Sequence, residues 1–243
     1  MHYYSHTDIN LKTTFKDALL ASLANDGGLW MPSVIPSFTD SELINLAAMN
    51  FSDCAAYLSK YFVGDQVNSK TLTKICHDAY DFELPIKTIL GDKQSPSVTS
   101  NNQDYILELF HGPTLAFKDF AARFMARCTS EILSKSLDTR TILVATSGDT
   151  GGAIGEAFLN QKNINVIILF PKNGVSKVQE QQLCTIGNSR SNIQAVKVDG
   201  TFDDCQQMVK AAFADEELNK EKFLTSANSI NVARWLPQQF YYF

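Results

Sequence analysis

From residue 105 onward, short apolar runs alternate with stretches of helical periodicity, and this alternation constrains the fold more than any other feature. The runs are "YILELF" (105–110), "TRTILVAT" (139–146), "INVIILF" (164–170) and "IQAVKVDG" (193–200), with helices expected over 117–136, 150–162, 176–187 and 202–220. Strands joined through helices cannot close as tight hairpins. They cross over and pair in parallel, which predicts an α/β fold with helices on the faces of a parallel sheet. In such sheets ligands sit beyond the carboxyl ends of the strands. The loops that matter are therefore "HGPTLAFK", "TSGDTGG", "PKNGVSK" and the one after "FLTSAN".

Residues 14–96 have a different pattern. "TFKDALLASLA" carries Phe15, Ala18, Leu19, Leu20 and Leu23 close to one helical face, and Gly27 and Gly28 are expected to end that helix. A second helix is expected through "TDSELINLAAMNFSDCAAYLSKYF", opened by Thr39 and Glu42 at capping-box spacing, and a third through "NSKTLTKICHDAYDF". The polar stretch "GDKQSPSVTSNNQD" (91–104) reads as a boundary or surface loop. The chain thus divides into a mainly helical region, 1–96, and an α/β domain, 97–243.

Composition excludes some roles. A net charge of −5, with no basic run, argues against nucleic-acid and membrane-surface partners. The five cysteines, Cys54, Cys76, Cys128, Cys184 and Cys205, lie far apart and form no metal-ligand spacing, so reduced thiols and no metal are expected. No signal peptide or membrane span is evident, and a cytoplasmic protein is expected.

Lys118 is the most informative residue. It opens a helical stripe of Phe117, Phe120, Ala121, Phe124, Met125, Cys128 and Ile132. The positive end of the helix dipole and burial beside Phe110, Phe117 and Phe120 would both favour the neutral amine, as a Schiff-base lysine requires. A snorkelling lysine beside a core helix fits the same features. His111, alone in a tight "HGP" turn, reads as structural, with Gly112 and Pro113 fixing the backbone that enters the helix.

"ATSGDTGGAIGEAF" is neither a dinucleotide fingerprint nor a Walker loop. The hydroxyls of Thr146, Ser147 and Thr150 and the amides around Gly148, Gly151 and Gly152 would suit a carboxylate or phosphate at a helix start. Lys172 and Lys177 in "PKNGVSK", and Asn228, Ser229, Asn231 and Arg234 in "TSANSINVAR", stand at further helix starts. Each group serves equally well as a cap with solvated charges.

Together these segments resemble the threonine synthase family of pyridoxal-phosphate enzymes, which have the tryptophan-synthase-β-like fold (fold type II). The likeness is carried by "FHGPTLAFKDF", "ATSGDTGGA", "PKNGVSKVQEQQ" and "TSANSINVAR", in the family's order, and by "FKDALLASLANDGGLWMP" near the start. Asp149 stands where dehydratases and cysteine synthases usually have asparagine, which favours threonine synthase among the relatives. The resemblance implies a Lys118 Schiff base with pyridoxal 5'-phosphate. It also implies conversion of O-phosphohomoserine and water to threonine and phosphate, with Lys118 moving substrate protons. By the same resemblance Asp149 lies near the cofactor's ring hydroxyl. The loop of Thr146, Ser147, Gly148, Thr150 and Gly151 holds the substrate carboxylate, and Lys172, Lys177 and Arg234 are candidates for its phosphate.

Two departures are visible. The family's opening Ser-Thr-Arg-Gly is "SHTD" here, so no role for that arginine carries over. The family's Gly-Asn-Phe-Gly type loop for the cofactor phosphate, and the hydroxyl residue meeting the pyridine nitrogen, are not in the sequence. A helical N-terminal region followed by an incomplete fold type II domain, truncated at its C-terminal side, is therefore expected. A non-catalytic truncated paralogue, or a phospho-lyase acting on a related phosphorylated amino acid, are the alternatives. Oligomeric state is not legible.

Overall fold

The first residues build a small antiparallel sheet that helical periodicity does not announce. β1 (His2–Ser5) lies between β2 (Lys12–Thr14) and β3 (Trp30–Pro32). Alternation along β1 turns Tyr3 and Ser5 inward, and the Tyr3 hydroxyl donates to the Phe62 carbonyl at 2.8 Å. This is a computed structural model, and it describes residues 2–89, 104–136, 138–186 and 191–243.

α1 (Phe15–Ala21) buries Phe15, Ala18, Leu19 and Leu20, as the stripe requires. It ends earlier than the glycines suggest, because Ser22 turns the chain with a φ of 68°. The Thr39–Glu42 capping box forms and opens α2 (Asp40–Ala47). The single long helix expected there is divided, since the Asn50 side chain accepts from the Asp53 amide and starts α3 (Phe51–Val63). Asn68 does the same for α4 (Ser69–Ala79).

"YILELF" is a correction to the parallel sheet. Only β5 (Tyr105–Leu107) is strand, and it pairs antiparallel with β4 (Ile86–Thr88) in a separate ribbon. The boundary between residues 96 and 97, and nearly all of the 91–104 stretch, lie outside the described residues.

α5 (Lys118–Leu133) packs on α4, on α6 (Asp149–Phe158) and on α10 (Val232–Trp235). Phe120, Phe124, Met125 and Cys128 of its stripe are fully buried. The main sheet is parallel, in the order β8 (Ile193–Val198), β7 (Ile164–Pro171), β6 (Arg140–Ala145), β9 (Leu224–Thr225). Alternation along β6 and β7 serves two layers. Ile142, Val144, Val166 and Ile168 join the large core with α5 and α6, whereas Leu143, Ala145 and Leu169 meet Cys205 and Val209 of α8 (Phe202–Ala214). α7 (Lys177–Thr185) lies beside α6. The helix expected over 202–220 is broken at Asp215, whose side chain caps α9 (Glu216–Lys222). Among the described residues no helix is long and apolar enough to cross a membrane.

Candidate active site

The carboxyl ends of β6, β7, β8 and β9 share one edge of the sheet, and the turn after β6 delivers Asp149 there. Lys118, the first residue of α5, reaches it: Nζ lies 2.6 Å from Asp149 Oδ2. The same Nζ stands 4.3 Å from the centroid of the Phe117 ring. Its neighbours are thus a carboxylate and an aromatic face. The helix-dipole and burial argument from sequence did not include this pairing, which depends on α5 and α6 packing together.

The turn that places Lys118 is clamped from below. Asp119 is fully buried and accepts from the Thr114 amide at 2.9 Å and the Thr114 hydroxyl at 2.6 Å. Burial pushes its carboxyl above the ordinary aspartate value, against the lowering effect of those hydrogen bonds. The clamp lies so close to Gly112 that an added Cβ there would stand 2.5 Å from Asp119 Oδ2. Leu115 adopts φ 61° to let the turn close. His111 is turned aside, 2.7 Å from Glu108 and stacked on Phe110, in keeping with a structural histidine.

The glycine–threonine turn is largely self-satisfied. Thr146 is buried, and its Oγ1 accepts from the amides of Gly148 at 3.0 Å and Gly151 at 2.8 Å. The Thr150 amide donates to Asp149 Oδ1 at 2.8 Å, and the Gly152 amide to the Gly148 carbonyl at 3.2 Å. Those amides, expected to meet an anion, already have partners. Besides Asp149, the exposed Ser147 and half-buried Thr150 side chains are polar groups this turn offers outward.

The remaining expected cations do not converge on Lys118. Arg234 is fully buried, with Nε donating to the Ala227 carbonyl at 2.8 Å and Nη1 to the Lys118 carbonyl at 3.4 Å. Burial lowers its pKa to about 10, with Asp149 and Asp119 acting in the opposite direction. Enclosed in this way, it steadies the Lys118 main chain and does not face incoming solvent. Lys172 turns toward Asp199 at 3.8 Å, and Lys177 is exposed at the start of α7. Asn231, one of the Asn/Ser/Arg cluster, is a fully buried structural residue.

Beside the Lys118–Asp149 pair opens a cleft of about 650 Å³. Thr114, Leu115 and Phe117 form one wall, and Asp149 and Gly152 another. Val178, Gln179 and Gln182 of α7 close the third side. A Cβ placed on Gly152 would meet nothing nearer than Gln182 Oε1 at 3.9 Å, so the glycine leaves open space over the cleft. The sequence reading did not single out these glutamines. The one signal available was the Ser176–Gln179 capping box, which forms and sets the start of α7.

Residues 94–239 match the family described as "Pyridoxal-phosphate dependent enzyme", and residues 2–80 match "Threonine synthase N terminus". This chain belongs to the pyridoxal-phosphate-dependent enzyme family. Its likeness to threonine synthases extends over the whole chain. It is 43% identical over 232 residues to the threonine synthase of Buchnera aphidicola subsp. Baizongia pistaciae, covering 96% of this chain and 51% of that protein. It is 40% identical over 243 residues to that of Escherichia coli, covering 100% and 53%.

Among solved structures, threonine synthase from Escherichia coli superposes with a TM-score of 0.86 at 39% identity, covering 100% of this chain and 53% of that one. Threonine synthase from Brucella melitensis, described as PLP bound, gives 0.86 at 38% identity, covering 100% and 50%. The chain spans about half the length of the curated relatives it matches.

Proposed function

We propose that this chain carries the lysine half of a threonine synthase active site, in which Lys118 holds pyridoxal 5'-phosphate and the substrate is O-phosphohomoserine, converted with water to threonine and phosphate. The observation that carries this reading is Lys118 paired with Asp149 at the carboxyl edge of the parallel sheet, beside an open cleft. The donor set fits the aldehyde and ring of such a cofactor. An amine and a carboxylate stand together, and Gly152 leaves room above them. When bound, the cofactor supplies the electron sink for carbanion chemistry next to the substrate nitrogen.

The protein's part is placement and proton movement. Lys118 Nζ holds and returns the substrate protons, kept in position by its main-chain tie to Arg234 and by the Asp119 clamp on Thr114. Asp149 supplies the negative charge beside it. Ser147 and Thr150 receive the substrate carboxylate through their hydroxyls. Lys172 and Lys177 remain the candidates for the substrate phosphate, while the buried Arg234 takes the positioning role. Leu115 and Phe117 give one side of the cleft an apolar wall.

The division into residues 1–96 and 97–243 is kept as part of this proposal, as is a cytoplasmic setting, which four buried free thiols suit. Reduction of a mixture with pyridoxal 5'-phosphate by borohydride, followed by peptide mapping, tests the reading. Modification concentrated on Lys118 is expected. Modification scattered over surface lysines would overturn it for this chain.

A further inference from the structure

We propose that Asp149 restrains the Lys118 amine, so that Lys118 becomes a nucleophile only when the Asp149 carboxylate moves away from it. This deepens the reading above and rests on it for the identity of the electrophile alone.

The two oxygens of Asp149 have separate duties. Oδ1 accepts the Thr150 amide at 2.8 Å, which fixes the carboxylate at the N-terminus of α6, and Oδ2 lies 2.6 Å from Lys118 Nζ. The helix start favours a carboxylate there, so the restraint is anchored independently of the lysine. The lysine side chain is 19% exposed and the aspartate 43%, so the amine is the more enclosed partner and the carboxylate faces the cleft. Other charged groups nearby face elsewhere. Asp119 is turned to Thr114, His111 to Glu108, and Arg234 touches the Lys118 carbonyl and not its amine.

Condensation with an aldehyde requires the neutral amine. The nitrogen lone pair forms the C–N bond, the carbonyl oxygen leaves as water, and the ammonium proton has to depart first. With Oδ2 2.6 Å from Nζ, Asp149 holds the amine in a charge-assisted hydrogen bond that has to break before the nitrogen can attack. A group arriving in the cleft on the Asp149 side can draw the carboxylate off and release the amine. The site would thereby be kept from condensing with stray aldehydes until a ligand able to engage Asp149 enters.

Competitive acetylation of the full chain with limiting acetic anhydride, read by peptide mapping, tests this without any cofactor. The Lys118 rate is expressed relative to the exposed Lys16 and Lys70. D149N and D149S, two neutral replacements guarding against one that fails to fold, are expected to raise the relative rate severalfold, because no carboxylate then engages the Lys118 amine. D149E, which keeps the charge, is expected to leave Lys118 slow. An unchanged or slower Lys118 in both neutral variants, with the Lys16 to Lys70 ratio preserved, would overturn the proposal. Faster acetylation in D149N alongside no pyridoxal phosphate on wild-type Lys118 would uphold the restraint and reject the cofactor reading.

Discussion

Ser22 and Thr225 are 203 positions apart in the chain, yet their hydroxyls meet at 2.9 Å in the interior. Ser22 Oγ also accepts from the Ser226 amide at 2.9 Å and from Asn231 Nδ2 at 3.0 Å. Asn231 Nδ2 in turn donates to the Leu19 carbonyl at 2.8 Å. This buried network joins the end of α1 to β9 and to the segment that carries Arg234, and through Arg234 to the main chain of Lys118. The N-terminal region is thus tied to the site by hydrogen bonds as well as apolar contact.

Removing the hub should loosen that tie. Ser22→Ala leaves the Ser226 amide without its buried acceptor, while Asn231 Nδ2 keeps the Leu19 and Ser226 carbonyls, and is expected to cost about 1–3 kcal/mol. The shift of the urea unfolding midpoint measures it. A loss no larger than that of an exposed serine replaced in parallel would show that the network adds little.

Arg123 is a second junction. It is buried and donates to the Ala79 carbonyl at 2.7 Å and the Asp78 carbonyl at 3.0 Å, and it pairs with Asp81 at 2.7 Å and Glu156 at 3.2 Å. Arg123→Ala is expected to destabilise by about 3 kcal/mol, toward the lower end of the range for broken buried pairs because both acidic partners keep contact with water. Adding Glu156→Gln should recover part of the loss. Urea unfolding of the single and double variants decides it.

Two glycines of the Asp149 turn should respond in opposite ways. Gly148 has φ 143°, and a Cβ there would stand 2.5 Å from the side-chain amide of Gln179, so Gly148→Ala is expected to cost about 1–3 kcal/mol. Gly152 lies within α6 and faces open space, so Gly152→Ala should gain about 0.5–1 kcal/mol from helix propensity. The same methyl narrows the cleft, and weaker uptake of pyridoxal 5'-phosphate by absorbance titration is expected to accompany the gain.

Asp119 should leave a mark on the pH dependence of stability. Burial raises its folded-state pKa above the ordinary aspartate value of 3.8, so in the window just above that value the folded chain holds a proton the unfolded chain has lost. Stability from this group is fully present below the window and falls as pH rises through the folded value. The difference in unfolding free energy between wild type and Asp119→Asn should therefore decline as pH rises from about 4. Denaturant titrations at several pH values check the slope, and a difference that grows with pH would contradict the assignment.

Much of this protein was written in local pattern. The β-rich runs of β6, β7 and β8 state a parallel sheet because strand alternation and crossover length are properties of short segments. The Thr39–Glu42 and Ser176–Gln179 capping boxes form for the same reason, since a cap needs only three residues of context. Lys118 was marked by its place in an apolar stripe at a helix start. Features that depend on distant partners were not legible. "YILELF" has the composition of a sheet strand, yet it pairs with β4 because the partner, not the propensity, decides register. The contact between Lys118 and Asp149, the enclosure of Arg234 and the inward turn of Ser22 all arise where helices and strands far apart in sequence come within about 3 Å, a condition that only packing imposes. The sequence determined which helix and strand segments form, and the tertiary structure decided which of their side chains meet.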